Sequence, residues 1–416
     1  MPKISVFTPS HDPRWLDRCY ESLVVQPFRD WEWIVLLNHG ATWEPPLDSR
    51  IRIVSGDGLA GIGGLKRYAV AHCTGELLVE LDHDDELTPN ALMVLWNTHQ
   101  WFPDAGMIYS STAQINEDGT ANTTRFRADH GWRYWATFAA GRDLLGCLSL
   151  EPSPHNVSYI WYAPNHVRAF SRVAYDRAGG YDPELELLDD QDLMARLYQV
   201  GPFSHIDQVL YLQRVHDANT QTDPVKNARI QEETVRLYDR YIEPNALAWA
   251  RRNGLLPLDL GGAHNAPAGY LTVDQHGGDY TGDVFDVLGN MTDSSVGVIR
   301  AADFLEHVVD QVELLNEIHR VLAPDGLLLS CTPSTDGRGA FQDPTHVSFW
   351  NENSWWYYTD PALAKYVPAI TARFQTSRLV TYFPTDWHQE VNIPYVQANM
   401  IAYKPGGVRN GGILRW

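Results

Sequence analysis

The sequence predicts an α/β protein built from two successive units. Three observations carry this expectation. Short apolar runs alternate with amphipathic helical patterns from residue 4 to about residue 110, a long helical stretch follows at 222–253, and a second alternation of strands and helices begins at 254. At 416 residues the chain is too long for one ordinary domain. The expected division is 1–221, a helical linker at 222–253, a second unit at 254–405 and a glycine-rich tail at 406–416.

Taken in order, KISVFTP reads as a strand, PRWLDRCYESLVVQ as a helix opened by proline, WEWIVLLN and RIRIVSG as strands, and GGLKRYAVAHC as a helix. In GELLVELDHDDELTP, the close-set Leu77, Leu78, Val79 and Leu81 suit a buried strand, while Thr88 and Pro89 suit an N-cap and first helical residue. Helical pattern resumes over Ala91–Trp101, AGMIYSS is a strand, and Asn116–Thr120 (NEDGT) is a hairpin turn. From His130 to Tyr162 the chain is aromatic, contains proline and is weakly periodic, which suits either a cap over a pocket or an ordinary irregular excursion. Asp189–Val200 reads as a helix and HIDQVLYLQRVH as one or two strands. A long amphipathic helix from about Asp223 to Ile242 is then expected to be interrupted by Pro244, with NALAWARRNG ending on Gly254. The second unit reads as strands LPLDLGG and GYLTVD, the segment GDVFDVLG, strand VGVIRAA, helix VDQVELLNEIHRVL, turn APDG and strand LLLSCTP.

Composition excludes some functions. Thirty-two Lys and Arg against 52 acidic residues give a formal net charge of −20, a poor match to nucleic acid or an anionic membrane surface. The N-terminus runs straight into a strand pattern, and no apolar run is long enough to span a bilayer, so a soluble cytoplasmic protein is expected. Cys19, Cys73, Cys147 and Cys331 are far apart and read as buried free thiols. The 15 tryptophans are mostly core candidates, although aromatic faces also stack on sugars.

The chemistry gathers in the charged run after Leu81. At a strand's carboxyl end, where open α/β sheets bind ligands, alternation would aim Asp82 and Asp84 the same way, with His83 opposed. Two converging carboxylates repel unless a cation lies between them, and a hard divalent ion carrying a diphosphate fits that need. The plain alternative is a solvated Asp-x-Asp turn.

Five features in order make the first unit resemble a family 2 glycosyltransferase of the GT-A fold. Thr8, Pro9, Ser10, His11 and Asp12 match the turn after the first strand; Gly61 to Arg67, with Lys66, matches a Gly-x-x-x-x-basic stretch; Asp82 and Asp84 match the Asp-x-Asp motif. Asp189 and Asp190 in LLDDQDLMARLYQVG match an acidic pair at a helix start, and Arg214, His216 and Asn219 in QRVHDANT match an Arg-x-His-x-x-Asn segment. The resemblance implies nucleotide-sugar binding by Thr8, Pro9, Ser10, His11, Asn38, Lys66, Asp82 and His83, with Mn²⁺ or Mg²⁺ held by Asp84 and His216. It implies Asp190 as the catalytic base of an inverting transfer, with Asp189, Asp192 and Arg214 in support, Asp192 either facing solvent or orienting the base. Asn38 stands where the family usually carries aspartate. A nucleotide-sugar donor, most simply a UDP-sugar, and a glycan, protein or small-molecule acceptor are the implied partners.

The second unit resembles a Rossmann-like class I methyltransferase of the kind that binds S-adenosylmethionine. LPLDLGGA supplies Asp259, Gly261 and Gly262 in the places of the first motif, Asp274 closes the next strand, and AADFLEHVVD, with Asp303, followed by EIHRVLAPDGLLL resembles later motifs. The loop GGAHNAPAGY is short, contains proline and lacks a clear helix. The segment STDGRGAFQDPTHVSFWNENSWWYY either closes over a substrate, with His346 or Asp343 as the methyl-transfer base, or serves as a docking face. Together the two resemblances imply a metal-dependent inverting glycosyltransferase followed by a domain that methylates the glycan or its precursor, and chains of this appearance resemble those of bacteria and their phages. Two rival readings are a methyltransferase with a sugar-recognising GT-A domain, which Asn38 favours, and a non-catalytic glycan-binding or assembly scaffold.

Overall fold

A computed structural model describes residues 2–164, 166–217, 219, 223–263 and 265–416. The chain divides into two compact units, Met1–Pro152 with Asn156–Tyr241, and Ser153–His155 with Ile242–Trp416. None of the described helices is long and apolar enough to cross a membrane.

The first unit runs β1 (Ile4–Ser10), α1 (Leu16–Val24), β2 (Trp31–Leu37), β3 (Ile51–Ser55), α2 (Ile62–Ala71), β4 (Leu77–Glu80), β5 (Glu86–Leu87), α3 (Ala91–Trp101) and β6 (Met107–Asn116). It continues through β7 (Arg133–Ala139), β8 (Arg142–Leu148), α4 (Pro154–Ser158), β9 (Arg168–Ser171), α5 (Arg172–Arg177), α6 (Asp189–Val200), β10 (Phe203–Val215) and α7 (Pro224–Arg252). The main path of the sheet is β3-β2-β1-β4-β9-β6-β10-β5, parallel through β4, with β9 antiparallel to both neighbours and the β7–β8 hairpin attached to β6. Strand alternation explains why both faces are apolar. Val6, Trp33, Val35 and Val79 pack with Leu16, Leu23, Leu92 and Leu95, whereas Phe7, Ile34, Leu36 and Leu78 pack with Leu65, Ala69, Leu193 and Met194.

Two expectations about elements change. Residues 130–162, read as irregular, include the β7–β8 hairpin, whose β7 buries none of its residues fully and so shows no clear alternation. Pro244 does not interrupt α7, which runs unbroken over 29 residues. The hydrogen bond lost at proline is offset there by packing, since Tyr241, Ile242, Ala246 and Ala250 are all buried.

The second unit contains β11 (Leu256–Leu260), β12 (Leu271–Asp274), β13 (Tyr280–Thr281), α8 (Val284–Gly289), β14 (Val296–Ala302), α9 (Gln311–Val321), β15 (Leu322–Pro333), β16 (Phe374–Tyr382) and β17 (Tyr395–Ala402). Strand order is β13-β12-β11-β14-β15-β17-β16, parallel from β13 to β15, with β17 antiparallel to both β15 and β16. Among the described residues no helix joins β11 to β12. The turn after β11 needs glycine: Gly261 has φ +78, and a Cβ there would lie 2.7 Å from the Phe304 ring. The glycine-rich tail packs on its own unit, with Val408 N donating to Asp325 and Trp416 Nε1 donating to Phe374 O.

Candidate active site

The carboxyl ends of β1, β2 and β4 open into a cleft of about 1150 Å³. Its floor is built from short-range accidents of where each strand stops. β4 ends at Glu80, so residues 81–84 form a turn and the strand alternation expected to align Asp82 with Asp84 does not reach them. The two carboxylates instead meet different histidines. Asp82 Oδ2 lies 3.6 Å from His166 Nε2, whereas Asp84 Oδ2 lies 2.9 Å from His216 Nε2. His83 packs edge-on against His11, ring centroids 4.9 Å apart, with its Nδ1 3.3 Å from Pro9 O.

Asp84, His216 and Asn219 do come together. His216 N donates to Asn219 Oδ1 at 2.7 Å, and Asn219 Nδ2 reaches Asp84 Oδ2 at 3.4 Å. Arg214 holds this turn from behind: its Nε donates to Asp84 O, its Nη2 pairs with Glu86 at 2.5 Å, and its backbone N donates to Asp85. A carboxylate and an imidazole meeting at one point, braced by the Asn219 amide nitrogen, are two donors that suit a divalent cation completing its shell with ligand oxygens.

A buried charge network reaches the same cleft. Lys66, on α2, sits 2.6 Å from Glu80 Oε1 and 2.8 Å from Asp189 Oδ2. Burial works against its charge, but Asp189 and Glu80 outweigh it and hold the ammonium's pKa well above the ordinary value. Arg168, on β9, pairs with Asp190 Oδ2 at 2.9 Å and approaches Glu80 Oε2 at 3.5 Å. Burial raises the Asp189 carboxyl to about 6 even with Lys66 beside it. Of the three acids opening α6, Asp190 is the one whose carboxylate is partly open, at 21 % exposure, and it lines the cleft.

Several expected contacts fall elsewhere. Asp192 neither faces solvent nor reaches Asp190; it is buried, accepting from Tyr241 OH at 2.5 Å and from Arg196. Thr8 Oγ1 donates to Leu81 O and accepts from Trp33 Nε1, and Ser10 Oγ donates to Asp12 O, so these hydroxyls brace the sheet. Pro9 and His11, on the alternate side of the strand end, line the cleft. Lys66 also lines the cleft, with its charge already held by two carboxylates. Asn38 lines the cleft while only 5 % exposed, and its Oδ1 has no hydrogen-bond partner.

Three residues escaped the sequence reading: Glu80, His166 and Arg168. Their signal was present as a charge ending an apolar strand and as a His-x-Arg alternation in NHVRAF. Burial pushes the His166 imidazole well below its usual pKa, and it stacks on Tyr211 at 4.6 Å. Aromatic Phe126, Trp132, Trp161 and Tyr162 and basic Lys226 and Arg229 form the outer wall.

In the second unit Asp259 is buried, its Oδ2 paired with Arg300 Nη1 at 2.8 Å and its Oδ1 without a hydrogen-bond partner. Asp274 ends β12 with one oxygen capping His276 N, and Asp303 is exposed beyond β14. Asp343 is exposed, and two hydrogen bonds from Thr345 lower its pKa, which makes it a poor base. His346 Nδ1 lies 3.0 Å from Ala340 O.

Comparison with known proteins agrees with this division. The family described as glycosyl transferase family 2 matches residues 5–159, and the family described as methyltransferase domain matches residues 267–330. Chondroitin synthase of Escherichia coli is 24 % identical over 242 residues, 56 % of this chain and 31 % of that protein. Hyaluronan synthase of Pasteurella multocida is 24 % identical over 242 residues, 56 % of this chain and 22 % of that protein. The chain thus spans less than a third of either relative. The crystal structure of S. aureus TarS 1-349 superposes with a TM-score of 0.40 at 13 % identity, covering 64 % of this chain and 76 % of that one.

Proposed function

Because the chain carries a family 2 glycosyl transferase domain followed by a methyltransferase domain, we propose that it is a metal-dependent, inverting glycosyltransferase using a nucleotide-diphosphate sugar, with a second unit that methylates the glycan. One observation carries the first half: Asp84, His216 and Asn219 meet in the same cleft that Asp190, paired with Arg168, also lines.

Asp84 and His216 would hold the cation, with Asn219 beside them; when bound it supplies positive charge against the leaving diphosphate. Asp190 takes the proton from the acceptor hydroxyl as that oxygen attacks the anomeric carbon, and the nucleoside diphosphate departs with the bonding electrons. One displacement inverts the centre. Arg168 orients Asp190 and, with Lys66, balances Glu80 and Asp189 so that the base stands on a fixed frame. Asn38, with its unpartnered carbonyl oxygen, is suited to accept from the nucleotide base or ribose. The aromatic wall suits a sugar acceptor.

For the second unit, Asp274 at the end of β12 would accept from the ribose hydroxyls of S-adenosylmethionine, a reading that the positive-φ turn at Gly261 supports by leaving room for close approach.

A panel of nucleotide sugars with Mn²⁺ tests the reading. Transfer should require the metal and be lost in Asp84→Ala. Full turnover in excess EDTA would refute it.

A further inference from the structure

Beyond either activity, we propose that Glu306, His307 and His346 form a second divalent-metal site, selective for transition metals, in the second unit. One donor atom from each lies within 4.8 Å of the other two. The three are brought together by the fold: Glu306 and His307 follow the carboxyl end of β14, and the backbone N–H groups of Val347 and Ser348 both donate to Glu306 O, which fastens the His346 loop across them.

The protonation pattern supports ligation. His346 Nδ1 is 3.0 Å from Ala340 O, and a carbonyl can only accept, so Nδ1 carries the hydrogen and Nε2 keeps its lone pair. His307 Nδ1 faces Thr345 O at 3.3 Å, with the same consequence. Asp343 steadies Thr345 in turn through its N–H and hydroxyl. The carboxylate gives an independent observation. Glu306 is 2 % exposed; its Oε2 accepts from Thr332 Oγ1 at 2.7 Å, and its Oε1 is buried with no donor. A buried anionic oxygen left without a partner is costly unless a cation meets it.

Two imidazoles and one carboxylate favour Zn²⁺, Co²⁺, Fe²⁺ or Mn²⁺ over Mg²⁺ or Ca²⁺. Metal–ligand bonds of about 2.1 Å need donors closer than the outer limit here, and exposed His307 is the residue able to swing in. Its exposure also leaves the outer coordination positions to an oxygen donor from solvent. An imidazole that ligates a metal is not a free base, so His346 moves from the methyl-transfer step to the metal.

The test uses the full chain, stripped with chelator, in an Asp84→Asn background so that the first unit's cation site is crippled. Co²⁺ titration, followed by calorimetry and visible absorption, should give one equivalent of binding with ligand-field bands, and Zn²⁺ should displace it. His307→Ala and His346→Ala should each weaken Co²⁺ by at least about tenfold and remove the bands. His307→Ala changes an exposed side chain and decides the matter alone if His346→Ala does not fold. No Co²⁺ binding in the Asp84→Asn background, or binding undiminished by His307→Ala, overturns the site.

Discussion

Asp190 and Asp192 stand two residues apart and answer to different partners. Asp190 is held by Arg168 at the cleft; Asp192 is held by Arg196 and Tyr241 beneath it. Asp190→Asn should lower kcat by about a hundredfold or more while leaving donor affinity nearly unchanged, as steady-state kinetics with a bound-donor titration would report. Asp192→Asn should do the reverse: kcat near wild type, with stability reduced by about 1–3 kcal/mol in a denaturant melt. A dead but fully stable Asp192→Asn would reverse the two roles. The motif letters were legible in sequence, as were Asp84, His216 and Asn219. Their directions were not, because each carboxylate is aimed by a residue far along the chain: Arg168 for Asp190, Tyr241 for Asp192, His166 for Asp82.

Elements were legible where a buried local period exists and obscure where it does not. β1, β2, β4, α2 and α9 follow from their apolar spacing, but β7 of the β7–β8 hairpin buries none of its residues fully and so shows no clear alternation, and the passage of α7 through Pro244 depends on the packing around it. Helix α2 is tied to the site by close approach: a Cβ on Gly63 would lie 2.0 Å from Asp182 O, and Gly63 N donates to Leu185 O. Gly63→Ala should therefore displace the helix that carries Lys66, costing about 1–3 kcal/mol and weakening donor binding. An unchanged melting temperature would rule out this packing. Ahead of β3, Asp48 accepts from Arg50 Nε and Nη2, and the guanidinium lies 3.7 Å from the Trp31 ring centroid. That hydrogen bonding lowers the Asp48 pKa to about 2. Because the folded value is depressed, the contribution is present above the ordinary carboxylate range and is lost as pH falls through about 2. Asp48→Asn should cost about 1 kcal/mol near neutrality, after solvent screening, and nothing at the acid end.

At the scale of the whole molecule, each unit has its own sheet and its own apolar core. The two chemistries should then separate by mutation. Asp274→Ala is expected to weaken S-adenosylmethionine binding at least about tenfold in calorimetry and to leave sugar transfer intact, while Asp84→Ala does the opposite. Loss of both functions in either variant would contradict separate sites. The sheets also differ in when they can be finished during synthesis. The first unit has all its strands by residue 215 and its last clustered residue at 241. In the second, β17 at 395–402 lies between β15 and β16, so β16 leaves the ribosome with no strand to pair with until its inner neighbour follows. At about 5–20 residues per second, roughly 160 further residues take about 8–30 s. Over that interval the first unit can be folded on a nascent chain whose second unit is still an unfinished sheet, the period in which a chaperone would have most to hold.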